Sequence, residues 1–216
     1  MQADLDEALR YLGVRSDPDG RVRAQLADLA GRFSSQFEPR HIWRAFPVHH
    51  GDEGLRLGQI ALPGRTAAKM LADCKQCAVL VCTLGASFDA LVRRMQARDM
   101  AQAVMLDALG SALVEAACDE AEREIAAYFP EHYPTDRFSP GYGDLPLALQ
   151  PQLLEAAEAR RIGVSLTPSL LMTPQKSVSA LIGLADVPQV ARIRGCAFCA
   201  MQHTCNLRKA GTTCDV

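Results

Sequence analysis

The chain has 216 residues, of which 49% are hydrophobic and 22% are charged, and its formal net charge is −2 at pH 7. These values fit one globular domain, or one domain with a small appendage, and they provide no basic stripe for nucleic acid or an anionic membrane. No apolar run approaches membrane-spanning length, and the acidic N-terminus lacks the regions of a signal peptide. Eight cysteines without a secretion signal indicate a reducing cytosol, so we expect a cytoplasmic protein.

Hydrophobic spacing predicts helices and strands in mixed order along the chain. In chain order these are helices at 4–12 and 22–33, strands at 42–48 and 55–62, a helix at 65–73, a buried strand at 77–85, helices at 87–97, 100–128 and 147–161, and strands at 164–166 and 178–184. The sequence has no internal repeat and no low-complexity linker. Its one break in composition, near residues 188–195, predicts a main domain at 1–187 and a C-terminal tail at 188–216.

Cys74 and Cys77 have the spacing of a redox motif. The residues around them hold no second cysteine pair and no histidine, as a reactive or metal-binding motif would require. The apolar run that follows predicts a buried strand. We therefore interpret the two thiols as small apolar groups at the end of a helix and the start of that strand.

The predicted helix at 100–128 carries many small residues, which allow another element to pack closely against it. Glu115 stands on this helix among Leu113, Val114 and Ala116. Its carboxylate either faces a binding site or belongs to a solvated helix face, and the second is the usual outcome for a single acid.

The densest run of special residues is RFSPGYGDLP at 137–146. Gly141 and Gly143 can take positive φ and let the backbone approach a ligand, while the two prolines keep the loop bent. Arg137 offers a planar fork of donors for a carboxylate or phosphate, and Tyr142 offers a flat apolar face with one hydroxyl. The run is therefore either a ligand-binding loop or a plain connection between helices.

Asp144, near the end of this run, precedes the predicted helix at 147–161. Aspartate is a preferred residue at a helix N-cap, because its carboxylate accepts the unpaired amides of the first turn. We therefore expect Asp144 to cap the helix that follows it.

Residues 137–146 resemble the signature loop of the activation (reactivation) domain of cobalamin-dependent methionine synthase. The resemblance continues at 113–116, 166–174 and 177–179, with order and rough spacing kept. It implies an α+β fold, in which a curved, largely antiparallel sheet is packed with helices. The matching segments lie between about Leu113 and Gly183, so the tail at 188–216 lies outside them.

The activation domain of that family binds S-adenosylmethionine and supports the reductive methylation that restores an oxidised cobalamin. By resemblance, the ligand contacts in this chain would come from Glu115, Arg137, Ser139, Gly141 and Tyr142. Arg137 would clamp the methionyl carboxylate, amides near Gly141 and Tyr142 would hold the rest of the ligand, and Glu115 would offset its positive charge. No catalytic acid or base is implied, since the chain would orient the ligand and exclude water.

The cobalamin-binding motif Asp-x-His-x-x-Gly is absent, and the chain has no room for folate or homocysteine modules. We therefore expect cobalamin on a separate partner, either methionine synthase or another corrinoid protein, with an electron donor of the flavodoxin or ferredoxin type. Two other functions stay open at this point. The chain could reactivate a different corrinoid methyltransferase, or it could be a non-catalytic docking or electron-transfer module.

The tail at 188–216 holds four of the eight cysteines, and the first two are spaced so that one turn of chain can bind a single metal. These predicted metal ligands are Cys196, Cys199, Cys205 and Cys214. Four thiolates fit a structural zinc or an iron–sulfur cluster, and His203 is an alternative zinc ligand. We favour iron–sulfur, because a redox centre suits the implied function.

Overall fold

The computed structural model describes residues 3–14, 17, 19–33, 36–52 and 54–189. Its helices are α1 (Leu5–Tyr11), α2 (Arg21–Phe33), α3 (Arg65–Met70), α4 (Ala86–Gln96), α5 (Met100–Tyr128) and α6 (Gln150–Ala156), with short 3₁₀ helices at Leu147–Leu149 and Ala159–Ile162. Its strands are β1 (Arg40–Gly51), β2 (Gly54–Leu57), β3 (Ile60–Ala61), β4 (Cys74–Thr83), β5 (Tyr133–Pro134), β6 (Ser165–Leu166), β7 (Met172–Thr173) and β8 (Ser177–Ala185).

Six strands form one large sheet in the order β3-β2-β1-β4-β8-β5, and β6 pairs with β7 in a separate hairpin. The pairs β1–β2, β2–β3 and β5–β8 are antiparallel. Strands β4 and β8 are antiparallel too, because Leu84 N–H donates to Lys176 O at one end and Asp186 N–H donates to Asp73 O at the other. The α+β fold with a large antiparallel sheet, expected from the sequence, is therefore confirmed.

The central strands β4 and β8 are apolar almost without interruption. From Cys77 to Thr83 every residue of β4 is buried, and in β8 only Val178 is partly exposed. A strand that is buried on both faces lacks the alternation of apolar and polar residues that marks a half-exposed strand. This explains why both strands were recognisable as short apolar runs.

One compact unit comprises Met1–Trp43, Leu80–Glu124 and Leu154–Val178. Its helices α1, α2 and α5 meet in a cluster of buried small and aliphatic side chains, namely Ala8, Leu26, Leu29, Leu109 and Ala112. Asp4 caps α1 by accepting the amides of Asp6 and Glu7, and Asp99 accepts the amide of Gln102 at the start of α5. Local capping thus sets where both helices begin.

The second compact unit comprises Arg44–Val79, Ile125–Leu153 and Ser179–Val216. In its described part, side chains with at most 2% exposure include Leu57, Leu71, Leu145 and Leu181. The unit contains the hairpin β2–β3, the short helix α3 and the whole of the loop at 137–146.

Helix α5 has the bounds that the sequence predicted, but it corrects one expectation. At 29 residues it is long and apolar enough, by length and composition, to cross a membrane. Half of its most apolar window is buried inside the protein. Core helices of globular folds also reach this length and apolar composition, and the burial here is partial, since Met100, Val104 and Tyr128 are exposed.

Two predicted elements are interrupted in the structure. The expected strand at 55–62 is divided into β2 and β3 by a turn in which Gly58 has a φ of 55°. The expected helix at 147–161 begins as a 3₁₀ turn, continues as α6, and stops before Glu158, whose φ of 56° is left-handed. A left-handed residue cannot continue a right-handed helix, so the segment breaks there.

The structure supports the interpretation of Cys74 and Cys77 as buried apolar groups. Both lie in β4 as free thiols and are at most 2% exposed. Burial raises the pKa of Cys74 to about 11 and raises the pKa of Cys77 as well, because a buried thiolate loses its hydration. Neither thiol has the lowered pKa that a redox nucleophile needs.

The predicted boundary near residue 187 falls almost at the end of the described chain, which reaches Gln189. The predicted metal ligands Cys196, Cys199, Cys205 and Cys214 lie outside the described residues, so their arrangement stays a prediction. Among the residues that the structure does describe, no group of three or more His, Cys, Asp or Glu side chains is placed to hold a metal.

Candidate ligand-binding loop

The loop at 137–146 is anchored to strand β8 where it begins. Phe138 N–H donates to Leu181 O at 3.1 Å, and Leu181 N–H donates back to Phe138 O at 2.8 Å. The Phe138 side chain is 4% exposed. Arg137 and Ser139, on either side of this anchor, are both half-buried. The two side chains therefore project from a backbone whose position the sheet fixes.

The first turn of the loop spans residues 139–142 and has the sequence of a type II β-turn. Tyr142 N–H donates to Ser139 O at 3.0 Å, Pro140 occupies the first central position, and Gly141 occupies the second with a φ of 89°. Proline pre-sets the first position, and the second requires a positive φ that glycine adopts without strain. The order Ser-Pro-Gly-Tyr thus dictates this turn.

A second turn follows directly, over residues 142–145. Leu145 N–H donates to Tyr142 O at 3.1 Å, and Gly141 N–H donates to Leu145 O at 2.8 Å. Gly143 holds its first central position with a φ of 58°, as mirror-image turns require. Leu145 is buried, whereas Tyr142 is 37% exposed. Tyr142 is therefore presented at the junction of two tight turns.

The outer turn is fastened to the start of helix α3. Asp144 Oδ2 accepts Arg65 N–H at 2.7 Å, and Asp144 Oδ1 accepts Thr66 N–H at 2.9 Å. The Thr66 hydroxyl also donates to this carboxylate, and these bonds together lower the pKa of Asp144 to about 2. Asp144 is a helix cap, as expected, but it caps α3 and not the helix that follows it in sequence.

Two backbone amides of the loop are already paired within it. Amides near Gly141 and Tyr142 were expected to hold a ligand, and the amides of these two residues donate to Leu145 O and Ser139 O. In this conformation the amides of Gly141 and Tyr142 serve the loop itself, so the expected amide contacts stay a prediction for the neighbouring residues.

Four of the predicted ligand contacts lie together on this loop: Arg137, Ser139, Gly141 and Tyr142. The fifth, Glu115, is half-buried on α5 in the other compact unit. The motif residues at 166–174 lie there too, where Thr167 and Ser169 hydroxyls are 3.0 Å apart and Leu171 N–H donates to Thr167 Oγ1. The two hydroxyls are thus engaged within their own loop, Thr167 with the backbone and Ser169 with Thr167.

Residues 66–190 match the model of the family described as vitamin B12 dependent methionine synthase, activation domain. The match covers more than half of the chain and includes the loop. The chain belongs to this family.

A solved structure has the same fold as this activation domain. It is a crystal structure of the MetH reactivation domain bound to AdoHcy, with a TM-score of 0.67 and 16% sequence identity. The alignment covers 100% of this chain and 86% of the other. No curated protein sequence matches the chain significantly.

Nothing in the pattern of residues singled out Tyr11, which lies near Glu115. Burial raises the pKa of the Tyr11 hydroxyl, and the negative charge of Glu115 adds to this effect. The side chain of Glu115 on α5 is thus close enough to α1 to act on it electrostatically. Tyr11 precedes the span that the family model matches, and its electrostatic link to Glu115 arises from tertiary structure.

The unit that contains Glu115 also has an open cleft of about 700 Å³, bounded by α1, α2, α5 and residues 37–39. Its size is in the range of small-molecule pockets. Among the described residues that line it, Glu38 carries the only charge. None of the five predicted ligand contacts lines this cleft, so its presence is no argument for or against the site at the loop.

Proposed function

We propose that this activation domain binds S-adenosylmethionine at the loop and supports the reductive methylation of cobalamin held by a separate methionine synthase. The observation that carries the proposal is the family's signature loop, complete from Arg137 to Tyr142 and fixed by the Phe138–Leu181 bridge and two turns. The family match and the AdoHcy named with the related MetH domain agree with this ligand class.

The side chains of the loop fit a ligand that is part amino acid and part nucleoside. Arg137 supplies a guanidinium for the methionyl carboxylate, in the paired geometry that arginine favours. Ser139 and Tyr142 supply hydroxyls, and the exposed Tyr142 ring supplies a flat apolar face for an adenosine. Gly141 keeps this stretch free of a side chain, so that a ligand can reach the backbone.

Glu115 stays a proposed contact for the positively charged end of the ligand, on the strength of its match to the family sequence. When bound, S-adenosylmethionine supplies the methyl group of the reaction. The chain itself has no proton to move: Arg137, Ser139 and Tyr142 bind and orient the ligand, and the fixed loop keeps water from the reacting end. The free energy of binding is thus used for orientation.

We propose a cytoplasmic partner that carries cobalamin, with methionine synthase as the first choice and another corrinoid methyltransferase as the alternative. A flavodoxin- or ferredoxin-type protein would donate the electron. Affinity capture with the purified chain, followed by assay of the captured protein for methyl transfer to homocysteine, separates the two partners.

We test the site by calorimetric titration of S-adenosylmethionine into the anaerobically purified chain. Wild type should bind saturably, and Arg137→Ala should bind about ten- to a hundred-fold more weakly, as expected for the loss of a charge-assisted pair. Arg160→Ala is the matched control, because Arg160 is exposed and lies outside the loop. Wild-type affinity in Arg137→Ala would place the site elsewhere.

We also propose that residues 188–216 form a metal-binding tail, with an iron–sulfur cluster favoured over zinc. The support is the sequence alone, with four cysteines in this short segment. Because of this tail, we keep an alternative to the reactivation function, namely a docking or electron-transfer module for a corrinoid protein. Such a module would carry the metal and bind its partner without binding S-adenosylmethionine.

A further inference from the structure

The loop and helix α3 hold each other in place through more than one bond. The Asp144 carboxylate accepts the amides of Arg65 and Thr66 and the Thr66 hydroxyl. The loop and the start of α3 also lie so close together that a side chain at Gly143 or at Gly64 would collide with the other element. A Cβ on Gly143 would lie 2.7 Å from Thr66 Oγ1, and a Cβ on Gly64 would lie 2.7 Å from Asp144 Oδ1.

This arrangement replaces an ordinary helix cap. The residue before α3 is Gly64, which has a φ of 98° and no side chain to accept the first amides. A local Asp or Ser would normally cap such a helix. Here the cap is Asp144, which lies 79 positions after Arg65 and 78 positions after Thr66 in the sequence. The contact therefore has two effects. It provides acceptors for the first two amides of α3, and it connects the loop to α3.

Tyr142 belongs to the same turn as Asp144. Tyr142 O accepts Leu145 N–H, and Gly141 N–H donates to Leu145 O. Asp144 lies inside the turn that these bonds close. Holding the Asp144 carboxylate against α3 therefore holds the turn, and the turn sets the direction from which Tyr142 is presented.

We propose that Asp144 is a positioning residue for the ligand site. By fastening the outer turn to Arg65 and Thr66, it fixes Tyr142 in the orientation that receives S-adenosylmethionine. The inference rests on the proposed function and deepens it, since it assigns a role to a residue that makes no contact with the ligand itself.

The experiment compares Asp144→Ala, Asp144→Asn and Asp99→Ala by calorimetric titration with S-adenosylmethionine. Asp99→Ala is the matched control: it removes another side-chain cap, at the start of α5, and leaves the loop intact. Asp144→Ala should weaken binding about ten-fold, because a small displacement of a binding group is costly. Asp144→Asn keeps one acceptor but turns its NH2 group towards the other backbone N–H, so it should weaken binding by less than Asp144→Ala does. Asp99→Ala should bind as wild type does.

Amide hydrogen exchange on the same proteins gives a readout that does not depend on the ligand. Asp144→Ala should expose the amides of Arg65, Thr66 and Leu145 to exchange, while amides in β4 stay protected. Should Asp144→Ala fail to fold, Asp144→Asn and Thr66→Val decide, since each removes only part of the contact.

The outcomes separate the two proposals. Wild-type affinity in Asp144→Ala and Thr66→Val, with binding lost in Arg137→Ala, would overturn the positioning role and leave the proposed function standing. An equal loss of affinity in Asp99→Ala would mean that the loss comes from lower stability of the whole protein. This outcome would also overturn the positioning role of Asp144. No saturable binding by wild type would overturn both proposals.

Discussion

Among single residues, the helical glycines Gly110 and Gly31 differ in how much space surrounds them. In α5, a Cβ on Gly110 would lie 2.4 Å from the Phe88 ring, closer than any real contact. Phe88 cannot move aside easily, because it is fully buried and its ring packs edge-on against Phe37 with centroids 4.9 Å apart. In α2, a Cβ on Gly31 would meet nothing within 4 Å.

The two glycine-to-alanine changes should therefore have opposite signs. Gly110→Ala should lower the free energy of unfolding by about 1–3 kcal/mol, because overpacking outweighs the better helix propensity of alanine. Gly31→Ala should raise it by about 0.5–1 kcal/mol, the propensity gain alone. Urea denaturation measures both. A stabilised Gly110→Ala would mean that Phe88 does not pack on this glycine.

At the scale of elements, the contact between Asp144 and α3 makes the stability of the protein depend on pH. The folded pKa of Asp144 is about 2, below the unfolded value of about 3.9. A lowered carboxyl pKa contributes stability that is complete above the unfolded value and is lost as pH falls through the folded value. The relevant window is therefore between about pH 4 and pH 2.

Wild type and Asp144→Ala should accordingly differ in unfolding free energy by a constant amount above about pH 4, and the difference should shrink towards pH 2. Urea denaturation across this range measures it. Gly31→Ala serves as the control, because the change involves no titrating group and its effect should not vary with pH. A difference that persisted unchanged at pH 2 would show that Asp144 acts through packing and not through its charge.

The elements that could be predicted from sequence are those whose signal is long or continuous. Helix α5 was recognised by its length despite Gly110 and Ser111, and β4 and β8 contain the apolar runs at 77–82 and 180–185. Strand β5 was missed, because two residues that include Pro134 give no strand pattern. The break at Glu158 was missed as well, since glutamate is an ordinary helix residue and nothing in its type demands a left-handed φ.

The same reasoning applies to the candidate site. The turn at 139–142 follows from proline and glycine at fixed offsets, so residue types sufficed to find it. Asp144 was recognised as a cap, but its helix lies almost 80 positions away, and sequence spacing cannot reveal such a partner. That the amides of Gly141 and Tyr142 already donate within the loop depends on how the second turn closes, which is a matter of tertiary structure.

For the whole molecule, the eight cysteines divide into two groups of four. Cys74, Cys77, Cys82 and Cys118 are buried in the folded protein. Burial raises the pKa of Cys74 and Cys77, so little of either thiol is in the reactive thiolate form near neutral pH. The other four belong to the proposed metal-binding tail, where a bound metal would hold them as protected thiolates.

Alkylation of the native protein at pH 8, read peptide by peptide in a mass spectrometer, should separate these groups. We expect all eight cysteines to resist labelling in the anaerobic protein, the tail cysteines alone to react after treatment with a chelator and acid, and the buried four to react only after denaturation.

Iron, sulfide and zinc are measured on the same sample. Cys205→Ser should lose the metal, whereas Cys118→Ala should keep it, because Cys118 is buried in α5 and outside the tail. Immediate labelling of the tail cysteines in the protein as purified anaerobically, with no iron or zinc found in the sample, would contradict the metal site and remove the support for an electron-transfer module. A bound iron–sulfur cluster together with Arg137-dependent S-adenosylmethionine binding would instead join both ends of the proposed reaction, the electron and the methyl group, in one chain.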